Sequence, residues 1–232
     1  MNVVIIPARG GSKRIPRKNI KLFHGKPMLA YPIEAALQSG VVDKVVVSTD
    51  DAEIAAIAQD FGAEVPFMRN ASLADDHTGT SAVIRNAIEQ LQRLGWPLQY
   101  CACLYATTPL LNAETIRQLY QQLQTSTADY VFTAAKFSFP IQRALLMTEN
   151  AGVTPFDPLS IGKRSQDLAP AFHDAGQLYW AKASTWLNTN KTIFGANSRM
   201  HILPNHLVQD IDTKEDWRRA ELLYQLLQQE AL

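Results

Sequence analysis

Over the first 135 residues, short apolar runs of strand length alternate with segments of helical periodicity, a rhythm that few architectures accommodate. Residues 3–6 (Val-Val-Ile-Ile) read as a buried strand that runs into the loop Pro7-Ala8-Arg9-Gly10-Gly11. A helix is expected over 28–38, stopped by Gly40. Val45-Val46-Val47-Ser48-Thr49 reads as the next strand, after which Asp50 or Asp51 caps a helix carrying Ile54, Ile57, Ala58 and Phe61. A helix over 81–94, a strand around residues 100–105, a helix over 113–123 and a strand over 130–134 continue the pattern. Such alternation predicts an α/β fold, a largely parallel sheet with helices on both faces, whose ligands sit beyond the carboxyl ends of the strands.

The rhythm breaks between Phe137 and Leu178, where Pro140, Pro155, Pro158, Gly162 and Pro170 interrupt any periodic run. Residues 137–178 are therefore read as an excursion from one domain spanning 1–232, and excursions often carry specificity or subunit contacts. The chain closes with Val208-Gln-Asp-Ile-Asp-Thr213 and a helix bearing Trp217, Ala220, Leu223, Tyr224 and Leu227.

Charge narrows the partners. Lysine plus arginine and aspartate plus glutamate both number 22, so no global positive field exists to hold a nucleic-acid backbone. No run approaches a membrane span and the first residues lack a signal-peptide pattern, which leads to the expectation of a cytoplasmic protein without a membrane partner. Cys101 and Cys103 lie two apart on one strand face, too few ligands for a structural zinc site, and are expected to be buried core thiols.

Against this neutral background, half of residues 9–18 are cationic, in Arg9-Gly10-Gly11-Ser12-Lys13-Arg14-Ile15-Pro16-Arg17-Lys18-Asn19. The segment follows the first strand, where an α/β sheet offers its crevice. Glycines let backbone N–H groups approach phosphate oxygens, arginines add forked donors and lysines add point charges. Neither Gly-x-x-x-x-Gly-Lys-Ser/Thr nor Gly-x-Gly-x-x-Gly is present, which removes the common ATPase and dinucleotide loops.

Residues 5–20, Ile-Ile-Pro-Ala-Arg-Gly-Gly-Ser-Lys-Arg-Ile-Pro-Arg-Lys-Asn-Ile, resemble the signature of the acylneuraminate cytidylyltransferases, the CMP-sialic acid synthetase family. The resemblance continues through Val47-Ser-Thr-Asp-Asp51, Arg69 with Leu73-Ala-Asp-Asp76, Thr107-Thr-Pro109, Arg164-Ser-Gln-Asp167 and Ile211-Asp-Thr213 with Asp216. It implies a Rossmann-like nucleotidyltransferase fold, usually a homodimer, that uses CTP and magnesium to form a CMP-sugar and pyrophosphate. Residues 139–145 and 173–180 resemble the branch that acts on pseudaminic acid. Tyr105-Ala-Thr-Thr-Pro-Leu-Leu111 and Ala175-Gly176 depart from the neuraminic acid pattern where the family meets its sugar. Neuraminic, legionaminic and 3-deoxy-manno-octulosonic acids are the alternative acceptors, and a nucleotide-binding regulator without catalysis is the alternative outside enzymes.

The resemblance also implies roles. Arg9 and Lys18 hold phosphates, with Lys13 a weaker candidate, alongside the loop positions Ala8, Gly10, Gly11 and Ser12. Asn19, Arg69, Thr78 and Thr80 fall where the family holds ribose and base. Tyr105, Thr107, Gln142, Arg143, Gln166, Asp167, His173 and Gln177 are the sugar-binding candidates, since arginine pairs with a carboxylate and amides read acetamido groups. Asp210 and Asp212 share one face of an extended segment and suit magnesium, which needs hard oxygen ligands and keeps several waters. Asp210 is also a catalytic candidate. A competing expectation for Asp212 is that it caps the last helix with Glu215.

Overall fold

The computed structural model describes residues 1–73 and 78–230. In chain order the elements are β1 (Asn2–Pro7), the two-residue strands β2 (Leu22–Phe23) and β3 (Lys26–Pro27), α1 (Ala30–Gln38), β4 (Lys44–Ser48), α2 (Ala52–Asp60), α3 (Thr80–Arg93), β5 (Tyr100–Leu104), α4 (Ala113–Gln124) and β6 (Tyr130–Lys136). Then follow β7 (Leu145–Met147), β8 (Val153–Pro155), β9 (Phe172–Lys182), α5 (Ala183–Leu187), β10 (Ser198–Leu203) and α6 (Lys214–Glu230). Six strands form one sheet in the order β10-β6-β9-β5-β1-β4, in which β9 alone runs antiparallel to its neighbours.

Strand alternation sorts the core into two layers. On β1, Val4 and Ile6 face a cluster with Ile33 of α1, Ile54 of α2 and Ile116 and Leu119 of α4. Val3 and Ile5 point the other way, against Ile84, Ala87 and Ile88 of α3 and Trp186 of α5. Both faces are thus covered, as the alternating rhythm predicts. Trp186 is buried and its indole N–H donates to the Cys101 carbonyl at 2.9 Å, stitching α5 beneath β5. Replacing Trp186 by alanine removes this bond and opens a large cavity, so a loss of roughly 3–5 kcal/mol is expected in equilibrium unfolding.

The expected excursion is shorter at its far end than the proline-rich sequence suggests. Residues 172–178 belong to β9, a central strand wedged between β5 and β6, so the chain leaves the core only over about 137–171. That stretch holds the β7–β8 hairpin and presents Phe139, Leu145, Leu146, Met147, Val153, Phe156 and Leu159 to solvent. Cys101 and Cys103 are buried and unbridged, and burial pushes both thiols up in pKa, Cys101 to about 12. No helix among the described residues is long and apolar enough to cross a membrane.

A third cluster matters most for the site. Ile15 of the basic loop, Phe23 of β2, Ile211 and Trp217 of α6 are all buried together. Phe23 makes edge contacts with Tyr31, Trp217 and Tyr224, each at 5.5 Å between centroids. Burying Ile15 and Ile211 in one cluster brings the cationic loop and the Asp210-Ile211-Asp212 segment side by side, although some 195 residues of sequence separate them.

Candidate active site

From β1 the chain moves to β4 on one side, and β5 later pairs on the other, so the carboxyl ends of β1 and β5 flank a topological switch point. A cleft of about 270 Å³ opens there. Its walls are Pro7, Arg9, Ser12, Lys18 and Asn19 after β1, Arg69 and Leu73, Thr78, Thr80 and Val83 at the start of α3, and Tyr105, Ala106 and Thr107 after β5.

Several of these side chains are fixed by hydrogen bonds. Asn19 is buried, and its amide donates to the Arg9 carbonyl at 2.9 Å, closing the base of the loop. Lys18 donates to the Ile211 carbonyl and reaches Asp212 Oδ1 at 3.3 Å. Arg69 is buried against Ser48, with Nε donating to Ser48 Oγ at 3.2 Å and a second donation to the Ser48 carbonyl. Burial lowers the Arg69 pKa, opposed by Asp50 and reinforced by Arg9. The threonine at the head of α3 shares a hydrogen bond with Tyr105, Thr80 Oγ1 to the phenol oxygen at 3.2 Å.

Of the loop positions expected to meet phosphate, Arg9, Ser12 and Lys18 line the cleft. Ala8 does not: its methyl is fully buried in the core, and its N–H donates to the Ser48 carbonyl at 2.9 Å. The Gly10 N–H, expected to approach phosphate, donates to Asp50 Oδ1 at 3.0 Å. Gly11 and Lys13 are exposed and lie outside the cleft walls.

The sugar candidates divide in two. Tyr105 and Thr107 line the cleft. Gln177, on β9, is buried; its amide nitrogen donates to the Leu207 carbonyl at 2.8 Å while its carbonyl oxygen has no partner. Gln142 shows the same half-satisfied state, donating to Ala169 at 2.9 Å with its carbonyl oxygen unpartnered. Buried amide oxygens left this way favour a ligand that brings a donor. Arg143 donates to the Lys163 carbonyl, Asp167 pairs with Arg164 at 2.8 Å, Gln166 is exposed, and His173 is exposed with its ring 4.9 Å from that of Phe137.

Asp212 does not cap the last helix. Thr213 Oγ1 accepts from the Asp216 N–H at 3.2 Å, and Asp216 Oδ2 accepts from the Thr213 N–H at 2.8 Å, a reciprocal cap that leaves Asp212 for cations. Asp212 pairs with Arg14 at 2.8 Å and Lys18 at 3.3 Å. The Asp210 carboxyl is pushed above its usual pKa by protein packed around it, then by the charges of Asp212 and Asp216, while Lys18 opposes the rise. A carboxyl that burial and neighbouring carboxylates make costly to ionise is a fitting place for a cation. Among the described residues no group of three His, Cys, Asp or Glu could hold a metal, so a cation at these two aspartates would have to draw on ligand oxygens and water to complete its shell.

Sequence reasoning passed over Pro7, Leu73, Val83 and Ala106, whose shape rather than chemistry puts them in the wall. It also missed Asp174, which accepts from the Tyr179 hydroxyl at 2.7 Å and from the Gly176 N–H at 3.0 Å. The Leu73-Ala-Asp-Asp76 motif extends past Leu73 into positions outside the described residues.

A cationic loop and a polar cleft at the switch point of this sheet define a nucleotide-handling α/β protein of the nucleotidyltransferase class. The family described as Cytidylyltransferase matches residues 3–228. The chain belongs to that family. It is 47% identical over 225 residues to pseudaminic acid cytidylyltransferase of Campylobacter jejuni serotype O:2, covering 97% of both chains. It is 35% identical to CMP-N,N'-diacetyllegionaminic acid synthase of Legionella pneumophila, over 99% of this chain and 98% of that one. In fold it is similar to CMP:2-keto-3-deoxy-manno-octonic acid synthetase complexed with CTP, with a TM-score of 0.71 at 20% identity over 99% of both chains. It is a nucleotidyltransferase.

Proposed function

We propose that this enzyme transfers CMP from CTP to the anomeric hydroxyl of pseudaminic acid, a nine-carbon acidic sugar, and releases pyrophosphate. The hydroxyl oxygen bonds to the α-phosphorus as the bond from that phosphorus to the oxygen bridging to the β-phosphate breaks, pyrophosphate leaves with that oxygen, and the hydroxyl proton passes to water. Little covalent work falls to the protein, so positioning and charge neutralisation carry the catalysis.

The observation that supports this most is the convergence of Arg9, Lys18, Asn19 and Arg69 in one cleft. In this reading Arg9 and Lys18 hold the phosphates, Arg69, Asn19, Thr78 and Thr80 hold the nucleoside, and Tyr105 and Thr107 begin the sugar side. The half-satisfied amides of Gln142 and Gln177, each with an unpartnered carbonyl oxygen, suit the N–H donors of acetamido groups. Arg143 is the candidate for the sugar carboxylate. Asp210, with Asp212, would hold magnesium, which when bound supplies charge neutralisation at the phosphates and acidifies a coordinated hydroxyl. We place the reaction in the cytoplasm, where nucleoside triphosphates are available, and assign the apolar face of residues 139–159 to a second copy of the chain.

Pyrophosphate release with CTP and magnesium, measured against a panel of nonulosonic acids, tests the reading. Release with pseudaminic acid and not with neuraminic or legionaminic acid is expected. Release only with another acid would keep the chemistry and overturn the reading of residues 139–180. No release with any acid would favour a nucleotide-binding regulator.

A further inference from the structure

Five cations crowd residues 9–18, and Arg14 and Arg17 show where such charges can be spent within the protein. Arg14 pairs with Asp212. Arg17 adopts a positive φ of 54°, a conformation that side-chain-bearing residues avoid unless surrounding contacts hold it. Those contacts are at the start of α2. Arg17 forks onto both carboxylate oxygens of Asp51, with Nη2 to Oδ1 at 3.2 Å, and also reaches Glu53.

The other arm of the basic loop is tied to the same place. The Gly10 N–H donates to Asp50 Oδ1 at 3.0 Å, and a Cβ added at Gly10 would lie 2.6 Å from Asp51 Oδ2. Asp51 itself is immobilised, because one of its oxygens caps α2 by accepting from the N–H groups of Glu53 and Ile54, each at 3.0 Å. The fork to Arg17 and these two N–H groups hold its carboxyl below the usual carboxylate range against the cost of burial. Both arms of the loop therefore lean on one rigid helix start.

We propose that Asp51, clamped by Arg17, is a positioning residue for the phosphate-binding loop: it sets the spacing of the two arms, so that Arg9 and Lys18 present their charges to one triphosphate. The proposal rests on the nucleotide reading above.

Position and charge make opposite predictions for Asp51→Asn. Asparagine caps a helix about as well as aspartate, so α2 keeps its start. If Asp51 acted only through its field, losing a negative charge near a triphosphate would tighten CTP binding. If it positions the loop, binding weakens. Calorimetric titration of CTP into the full chain should show the Kd rising roughly tenfold in Asp51→Asn and in Arg17→Gln, the scale expected for displaced binding groups. The double variant should bind no more weakly than the single ones, because both break one contact. Arg17→Gln lies outside the core and carries the test should Asp51→Asn lower the melting temperature. Wild-type or tighter CTP binding in Arg17→Gln and Asp51→Asn, or full additivity in the double variant, would overturn the clamp. Absence of CTP binding by the wild-type chain is a separate failure, that of the nucleotide reading itself.

Discussion

Alanine at position 9 should lower turnover by roughly 10²–10³, the range seen when a preorganised donor to developing charge is removed. The argument begins with two cations in one cleft. Arg9 and Arg69 both line it, Arg69 is buried, and the charge of Arg9 adds to the burial that makes the Arg69 cation costly. An anion between them relieves that repulsion, and the relief grows as charge builds on the transferred and leaving groups. Lys18 also faces the phosphates in this reading, but it shares its ammonium with the Ile211 carbonyl and Asp212 and so does not make up for the loss of Arg9. Arg9→Lys should fall between wild type and alanine, because a point charge keeps attraction but loses the fork. Steady-state pyrophosphate release, with thermal melting to confirm the fold, makes the comparison. Undiminished turnover in Arg9→Ala would remove Arg9 from the mechanism.

Much of this site was legible because its chemistry is local. Arg9, Ser12, Lys18 and Asn19 announce themselves as cations, glycines and amides at a strand end, and they do line the cleft. The roles of Gly10 and Arg17 were not legible. Their partners, Asp50 and Asp51, lie 40 and 34 residues further along the chain, and the pairing of β1 with β4 brings them near. The same division runs through the fold. The strand Lys44–Ser48 and the helix Ala113–Gln124 follow their periodicities closely. Strand β9 was hidden, since Phe-His-Asp-Ala-Gly-Gln mixes polar and small residues and its strand identity comes from β5 and β6 on either side. Strand β10 has only one strand neighbour and leaves Met200 and Ile202 exposed, so its sequence carries no clean alternation.

Asp210→Asn tests the metal reading with the second large effect. The two aspartates are not equivalent, although they flank the same buried Ile211. Asp212 already balances Arg14 and Lys18, so Asp212→Asn removes a proposed metal ligand but also leaves two cations for the triphosphate to take up. The two changes offset in part. Among the described residues Asp210 has no ion pair of its own to lose, and its raised pKa reflects burial and then crowding by Asp212 and Asp216, a cost that a divalent cation would relieve. Its replacement by asparagine should therefore cost more, roughly a hundredfold in turnover at limiting magnesium, equivalent to about 3 kcal/mol of barrier. Raising magnesium should restore part of the loss in Asp210→Asn and change Asp212→Asn less. Equal activity of Asp210→Asn and wild type at limiting magnesium would take the metal away from this segment, whereas a deeper loss in Asp212→Asn would make Asp212 the principal ligand and its pairing with Arg14 and Lys18 secondary.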